Sequence, residues 1–281
     1  MRNVLGAHLL LLQLLTKHVT CNLMFVYGIW SAGYRAPLGI PYPNDENTRS
    51  KWPRGWNRPT EFGLNQMYEM GTWMRRRYVV QEKAISPVYD NGRIVHGLPQ
   101  PAWLNRTYEG GTLLDWIRNS YNTLTTHDYN TKLKTRLRVG VLVNDIVESL
   151  INRVYYGRQP SQALFNSVNG PTILGLKHAL GIADGTVPEP GTLLLVEVHR
   201  TLFDEYIVQI YSRNTSGILI SHRLPTCARN CLLDDFITIL RPMRLKPEDL
   251  DVMCERTDEA FSRHANLFGI VLILPILLTL Q

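Results

Sequence analysis

Few side chains in this sequence are spaced for catalysis. His127-Asp128 is the one adjacent histidine–aspartate pair. Such a pair can move a proton near neutral pH, because imidazole titrates there. It falls in a stretch read as loop, and a surface histidine is the favoured reading. Ile29-Trp30-Ser31-Ala32-Gly33 approximates the Gly-x-Ser-x-Gly turn that exposes a nucleophilic serine, with Ile29 in the first glycine position. That turn must feed directly into a helix. Pro37 and the prolines after it prevent this, so a serine hydrolase is rejected. His178 and His199 fall within predicted elements and are read as structural. No cysteine–histidine spacing suggests zinc, and no glycine-rich phosphate loop is present, so neither metal nor cofactor is expected.

The elements that must position these residues alternate in type. Leu23 to Trp30 is a short apolar run rich in aromatic and β-branched residues and reads as a buried strand. The proline-rich stretch Pro37 to Pro43 must be loop. Thr60 is a plausible cap for a helix that reaches Tyr78, with Phe62, Met67, Met70, Trp73 and Met74 on its apolar side. Arg75-Arg76-Arg77 then reads as its solvated C-terminal end, where cations suit the dipole. Residues 83–112 read as loop and Leu113 to Leu124 as helix. Val139 to Tyr155 is the strongest amphipathic segment. Gln162 to Val168 reads as a strand, and Thr172 to Leu180 as a helix stopped by Gly181. Leu193 to His199 and Glu205 to Arg213 read as an antiparallel pair, and Leu232 to Leu240 as a further helix. The mixture favours an α/β fold.

The N-terminus has the parts of a signal peptide: Arg2, the apolar run Leu9 to Leu15, then polar and small residues to Cys21. Residues 1–21 are expected to be removed, leaving a domain over 22–262 and an apolar tail over 263–281. Leu267 to Leu280 would span only about 21 Å as a helix, against a bilayer core of roughly 30 Å. A removable lipid-anchor signal fits that length better than a spanning helix, and membrane attachment through the tail is expected. Cys227, Cys231 and Cys254 would remain, an odd number, with Cys227 and Cys231 close enough for a short-loop disulfide. Asn105-Arg106-Thr107 and Asn214-Thr215-Ser216 are glycosylation sequons. The net charge of +6 suits an anionic ligand or surface, and nucleic-acid binding is given no weight.

From Leu23 onward the chain resembles the histidine acid phosphatases of the prostatic and lysosomal type. The blocks that carry the likeness are Gly33-Tyr34-Arg35-Ala36-Pro37, Trp52-Pro53-Arg54-Gly55, Thr60-Glu61-Phe62-Gly63, Tyr68-Glu69-Met70-Gly71 and Gly140 to Ile146. Gly175-Leu176 to Ala179-Leu180 and Leu224-Pro225-Thr226-Cys227 to Cys231 follow in the family's order. The resemblance implies an open, phosphoglycerate-mutase-like sheet flanked by helices, and a possible homodimer. It also implies a mechanism in which a histidine attacks phosphorus, arginines hold the phosphoryl oxygens and a carboxylate protonates the leaving oxygen. The family's Arg-His-Gly-x-Arg is here Ser31-Ala32-Gly33-Tyr34-Arg35, so the nucleophile position is Ala32 and Arg35 is the one phosphate ligand left. The family's His-Asp pair aligns with Asn169 and Gly170. The family's helical cap is expected to be truncated, with the deletion near residues 79–90, and the family partner of Cys254 would lie in the missing part. The expectation is an inactive phosphatase-like protein of the secretory pathway, extracellular, lysosomal or membrane-attached, with a phosphorylated or other anionic ligand. A residual acid phosphatase and a degenerate or mis-spliced gene product are the alternatives.

Overall fold

The computed structural model describes residues 22–40, 48–78 and 102–253. The expected signal peptide, the expected deletion near 79–90, Cys254 and the apolar tail all lie outside the described residues. Strand β1 (Asn22–Ser31) is the sheet's second strand. It pairs in parallel with β4 (Ala163–Val168) on one side and antiparallel with β5 (Leu193–Arg200) on the other. β6 (Tyr206–Arg213) and β7 (Leu219–His222) extend the sheet to the order β4-β1-β5-β6-β7, and β8 (Cys231–Leu232) pairs with β6. This is an α/β fold with an open sheet flanked by helices.

Period-two burial decides which side each strand residue serves. Phe25, Tyr27 and Ile29 of β1 meet Leu194, Val196 and Val198 of β5 in the larger core. Helices α3 (Lys132–Val154), α4 (Gly170–Ala179) and α5 (Leu233–Leu240) cover that face. Helix α3 buries Val139, Val143, Ile146, Val147 and Leu150, the spacing of one helical face. The opposite face holds Val26, Leu193 and Leu195 under Met70 of helix α1 (Glu61–Tyr78). Cys227 and Cys231 form the disulfide that closes the chain before β8.

Several expectations need correction. Residues 102–112 are not all loop: a 3-10 turn over Ala102–Asn105 precedes a small hairpin of β2 (Thr107–Tyr108) and β3 (Gly111–Thr112). Helix α2 (Leu113–His127) runs past Leu124, started by a capping box between Thr112 and Asp115. His127 therefore ends a helix and Asp128 caps it, rather than both lying in a loop. Asp128 pairs with Arg138 at 3.1 Å, and His127 Nδ1 sits 3.4 Å from Lys134 Nζ. Helix α3 begins at Lys132, well before Val139, because Thr131 caps it by accepting from the Lys134 amide. No residue of α2 is buried, and Trp116, Ile117, Tyr121 and Leu124 are exposed on it.

Candidate functional site

β1 and β4 run in parallel and end together, Ser31 beside Val168. In open α/β sheets the crevice beyond the carboxyl ends of parallel strands is where ligands bind. A cavity of about 780 Å³ opens there. Its lining includes residues 31–35 after β1, 167–171 at the end of β4, Tyr121 and Asn122 of α2, and residues 187–190 before β5. The two sequence segments singled out as a degenerate catalytic motif thus face one pocket.

A glycine pair sets the first loop. A Cβ on Gly33 would lie 2.2 Å from the Gly63 carbonyl oxygen, and one on Gly63 would lie 2.0 Å from that of Tyr34. The loop therefore packs backbone-to-backbone on the start of α1. Thr60 Oγ1 donates to the Tyr34 carbonyl and accepts from the Gly63 amide. Gln66 accepts from the Tyr34 amide at 3.0 Å and donates to the Pro190 carbonyl at 3.3 Å, tying the loop to the far wall.

Several of the loop's donors are already engaged. The Ser31 amide donates to Thr192, the Ala32 amide to Val168 and the Ala36 amide to Arg58. The Ser31 hydroxyl donates to the Glu189 carbonyl at 2.9 Å. Ser31 is buried, and Ala32 presents only a methyl group. Arg35 is exposed, and its backbone makes an isolated bridge with Pro59. Its guanidinium makes no hydrogen bond among the described residues.

The second segment is a helix start. Asn169 caps α4, its side-chain oxygen accepting from the Thr172 amide at 2.8 Å and the Thr172 hydroxyl at 2.6 Å. Helix α4 begins at Gly170 rather than Thr172 because Asn169 supplies that cap and Pro171 fits the first turn. A Cβ on Gly170 would come 2.6 Å from the Pro188 carbonyl. The positions aligned with the family's His-Asp pair therefore hold helix and wall together.

One pocket carboxylate escapes a reading by motif. Glu189 lies between Pro188 and Pro190, and its Oε2 accepts from the Thr215 hydroxyl at 2.7 Å. Burial raises the Tyr34 phenol above its ordinary value and the Glu189 charge raises it further, while Arg118 opposes them. Tyr34 is therefore a neutral donor at physiological pH. Glu189 was missed because a lone Pro-Glu-Pro carries no spacing signal. Arg35 and Glu189 are the charged side chains in the described lining, one of each sign.

A second polar cluster lies on the opposite sheet face. Glu197 of β5 is buried, and it accepts from Arg77 at 2.7 Å, Tyr78 at 2.6 Å and His199 at 3.0 Å. His199 is thus a structural partner inside a strand, and His178 stacks on Tyr129. Among the described residues no group of three histidines, cysteines or acids is placed to hold a metal ion. No helix among them is long and apolar enough to cross a membrane.

No family model matches the chain. Prostatic acid phosphatase of Rattus norvegicus is 22% identical over 366 positions, covering 90% of this chain and 94% of that protein. Lysosomal acid phosphatase of Xenopus laevis is 22% identical over 346 positions, covering 84% and 79%. Human prostatic acid phosphatase is 28% identical over 198 positions, covering 70% of this chain and 47% of that protein. These curated likenesses support a place in the histidine acid phosphatase family. A 366-position alignment of 90% of a 281-residue chain passes over many positions of the relative that have no counterpart here. Among solved structures, the phytase of Klebsiella sp ASR1 aligns with a TM-score of 0.44 at 11% identity, over 80% of this chain and 96% of that one. That likeness is too loose to carry any argument about the site.

Proposed function

We propose that this chain is a catalytically inactive member of its family, acting in the secretory pathway as a binding protein. The observation that carries the proposal is the pocket at the ends of β1 and β4. It has a methyl group at the nucleophile position and a helix cap and a glycine at the acid positions. Neither an amide side chain nor glycine has a proton to give a leaving oxygen. Loss of a covalent nucleophile alone costs on the order of 10⁶ in kcat in a well-studied hydrolase. Electrostatics point the same way. A phosphate dianion needs an excess of positive charge or a cluster of free amides. Here the lining offers one cation, Arg35, and one anion, Glu189, with Arg118 acting on Tyr34 from outside it, and the amides of Ser31, Ala32, Tyr34 and Ala36 are already bonded.

The secretory assignment rests on the signal-like N-terminus, the disulfide and two sequons. Asn105 is exposed, and Asn214 uses its side-chain oxygen to accept from the Ile218 amide, leaving its amide nitrogen for a glycan. N-terminal sequencing of protein recovered from the medium of expressing cells should begin near Asn22. Glu189 favours one second reading, a residual phosphatase in which an unrecognised side chain attacks phosphorus to form a covalent phospho-enzyme, Arg35 holds the phosphate and Glu189 protonates the leaving oxygen, with water then releasing phosphate. Rapid quench with a labelled phosphate monoester separates the two. The inactive reading requires that no label stay covalently bound, and label on an identifiable residue would establish the residual enzyme instead.

A further inference from the structure

Beside the pocket, a second groove carries the charge that the pocket lacks. The segment Lys51-Trp52-Pro53-Arg54-Gly55-Trp56-Asn57-Arg58 interleaves cations and tryptophans. It folds into a groove of about 440 Å³ whose lining includes Lys51, Arg54 and Arg58, with Trp52 at its floor. Trp52 is nearly buried, and its ring centre is 6.4 Å from that of half-buried Trp56. Lys51, Arg54 and Arg58 are exposed and form no ion pair among the described residues. Arg49 is spent differently: it donates to the Trp52 carbonyl at 2.7 Å and holds the turn. Glu61 is the one acid in the lining, and Asp45 and Glu46 lie outside the described residues. Arg35 stands at the boundary, since it lines the pocket and its backbone pairs with Pro59 of the groove.

Unpaired cations held close together cost folding stability through mutual repulsion, and an anion relieves that repulsion. Three such cations along one groove match anions repeated along a ligand, not a single phosphate. The partly exposed ring of Phe62 in the lining suits a ligand whose charges are carried on a ring with apolar faces. A peptide would also look for backbone partners along an open strand edge, and no strand lies in this lining. We propose that this groove binds an acidic glycan, a sugar chain bearing closely spaced sulfate or phosphate groups, through Lys51, Arg54 and Arg58. The location rests on the proposed secretory assignment, whereas the loss of catalysis plays no part in it. Phosphatase activity would overturn the earlier reading and leave this one standing.

The test is titration of the purified full chain with a heparin-derived hexasaccharide and with a phosphorylated mannose oligosaccharide. These two arms distinguish sulfate from phosphate as the anionic group. Lys51→Glu, Arg54→Glu and Arg58→Glu together should weaken binding about tenfold or more, as loss of three clustered cations predicts. A control with the same change in net charge, Arg75→Glu, Lys132→Glu and Arg241→Glu, should change it by less than about twofold. The glutamine version of the groove triple serves if charge reversal impairs folding. Equal weakening by groove and control triples would reduce the effect to net charge and overturn the proposal. So would failure of both glycans to bind, or equal or tighter binding of a single-stranded oligonucleotide of matched charge.

Discussion

Ala32 and Asn169 are the residues on which the functional reading turns, and both can be challenged singly. Ala32→His restores only an imidazole. It meets no acid at Gly170 and no second arginine in the lining, so hydrolysis of p-nitrophenyl phosphate by this variant should remain at the level of the wild type. Turnover well above it would mean that the rest of the machinery is intact. Glu197 makes a different prediction, about stability. Burial raises its carboxyl, but hydrogen bonds from His199, Tyr78 and Arg77 and the Arg77 charge outweigh that and hold it below the ordinary value. A depressed pKa in the folded state means stability that is full above the unfolded value and lost as pH falls through the folded one. Glu197→Ala should therefore cost about 3 kcal/mol at neutral pH, because it leaves Arg77 without its buried partner. The difference from wild type should shrink below about pH 4 as the native carboxylate is protonated. Urea unfolding across pH reads both.

At the level of elements, the starts of α1 and α4 hold the pocket's shape. Asn169→Ala removes a side-chain cap and should cost about 1 kcal/mol, with Asn169→Asp close to neutral. Gly63→Ala drives a methyl group into the Tyr34 carbonyl and should cost about 3 kcal/mol by overpacking. Thermal unfolding ranks the three. The elements themselves were largely legible in the sequence. Apolar alternation marked β1 and β5, and the 3.6-residue period marked α3 from Val139. Capping was less legible: Thr131 and Asn169 start α3 and α4 earlier than the apolar pattern does, because a cap acts through one hydrogen bond and leaves no period. β7 and β8 are too short for alternation to register, and the 107–112 hairpin was hidden by its glycines. In the site, Ser31 to Arg35 and Asn169-Gly170 line one cavity. Glu189 and the Glu197 cluster were invisible because their partners, Thr215, Arg77 and Tyr78, are distant in sequence.

For the whole molecule, the 366-position alignment with the Rattus norvegicus relative passes over many of its positions without a counterpart here, and α2 presents Trp116, Ile117, Tyr121 and Leu124 to solvent. Exposed apolar residues along one helix are what loss of a covering segment would leave. Transcript sequencing across codons 79–90 should show whether a longer exon exists. A longer exon would supply that cover, yet it would leave Ala32, Asn169 and Gly170 as they are, so the chemistry predicted for the pocket would stand. Turnover at acid pH shows directly whether this chain hydrolyses phosphate monoesters. Purified full chain should release phosphate no faster than an enzyme-free blank, with Arg35→Ala indistinguishable from wild type. Turnover comparable to that of active relatives, abolished by Arg35→Ala, would contradict the inactive reading.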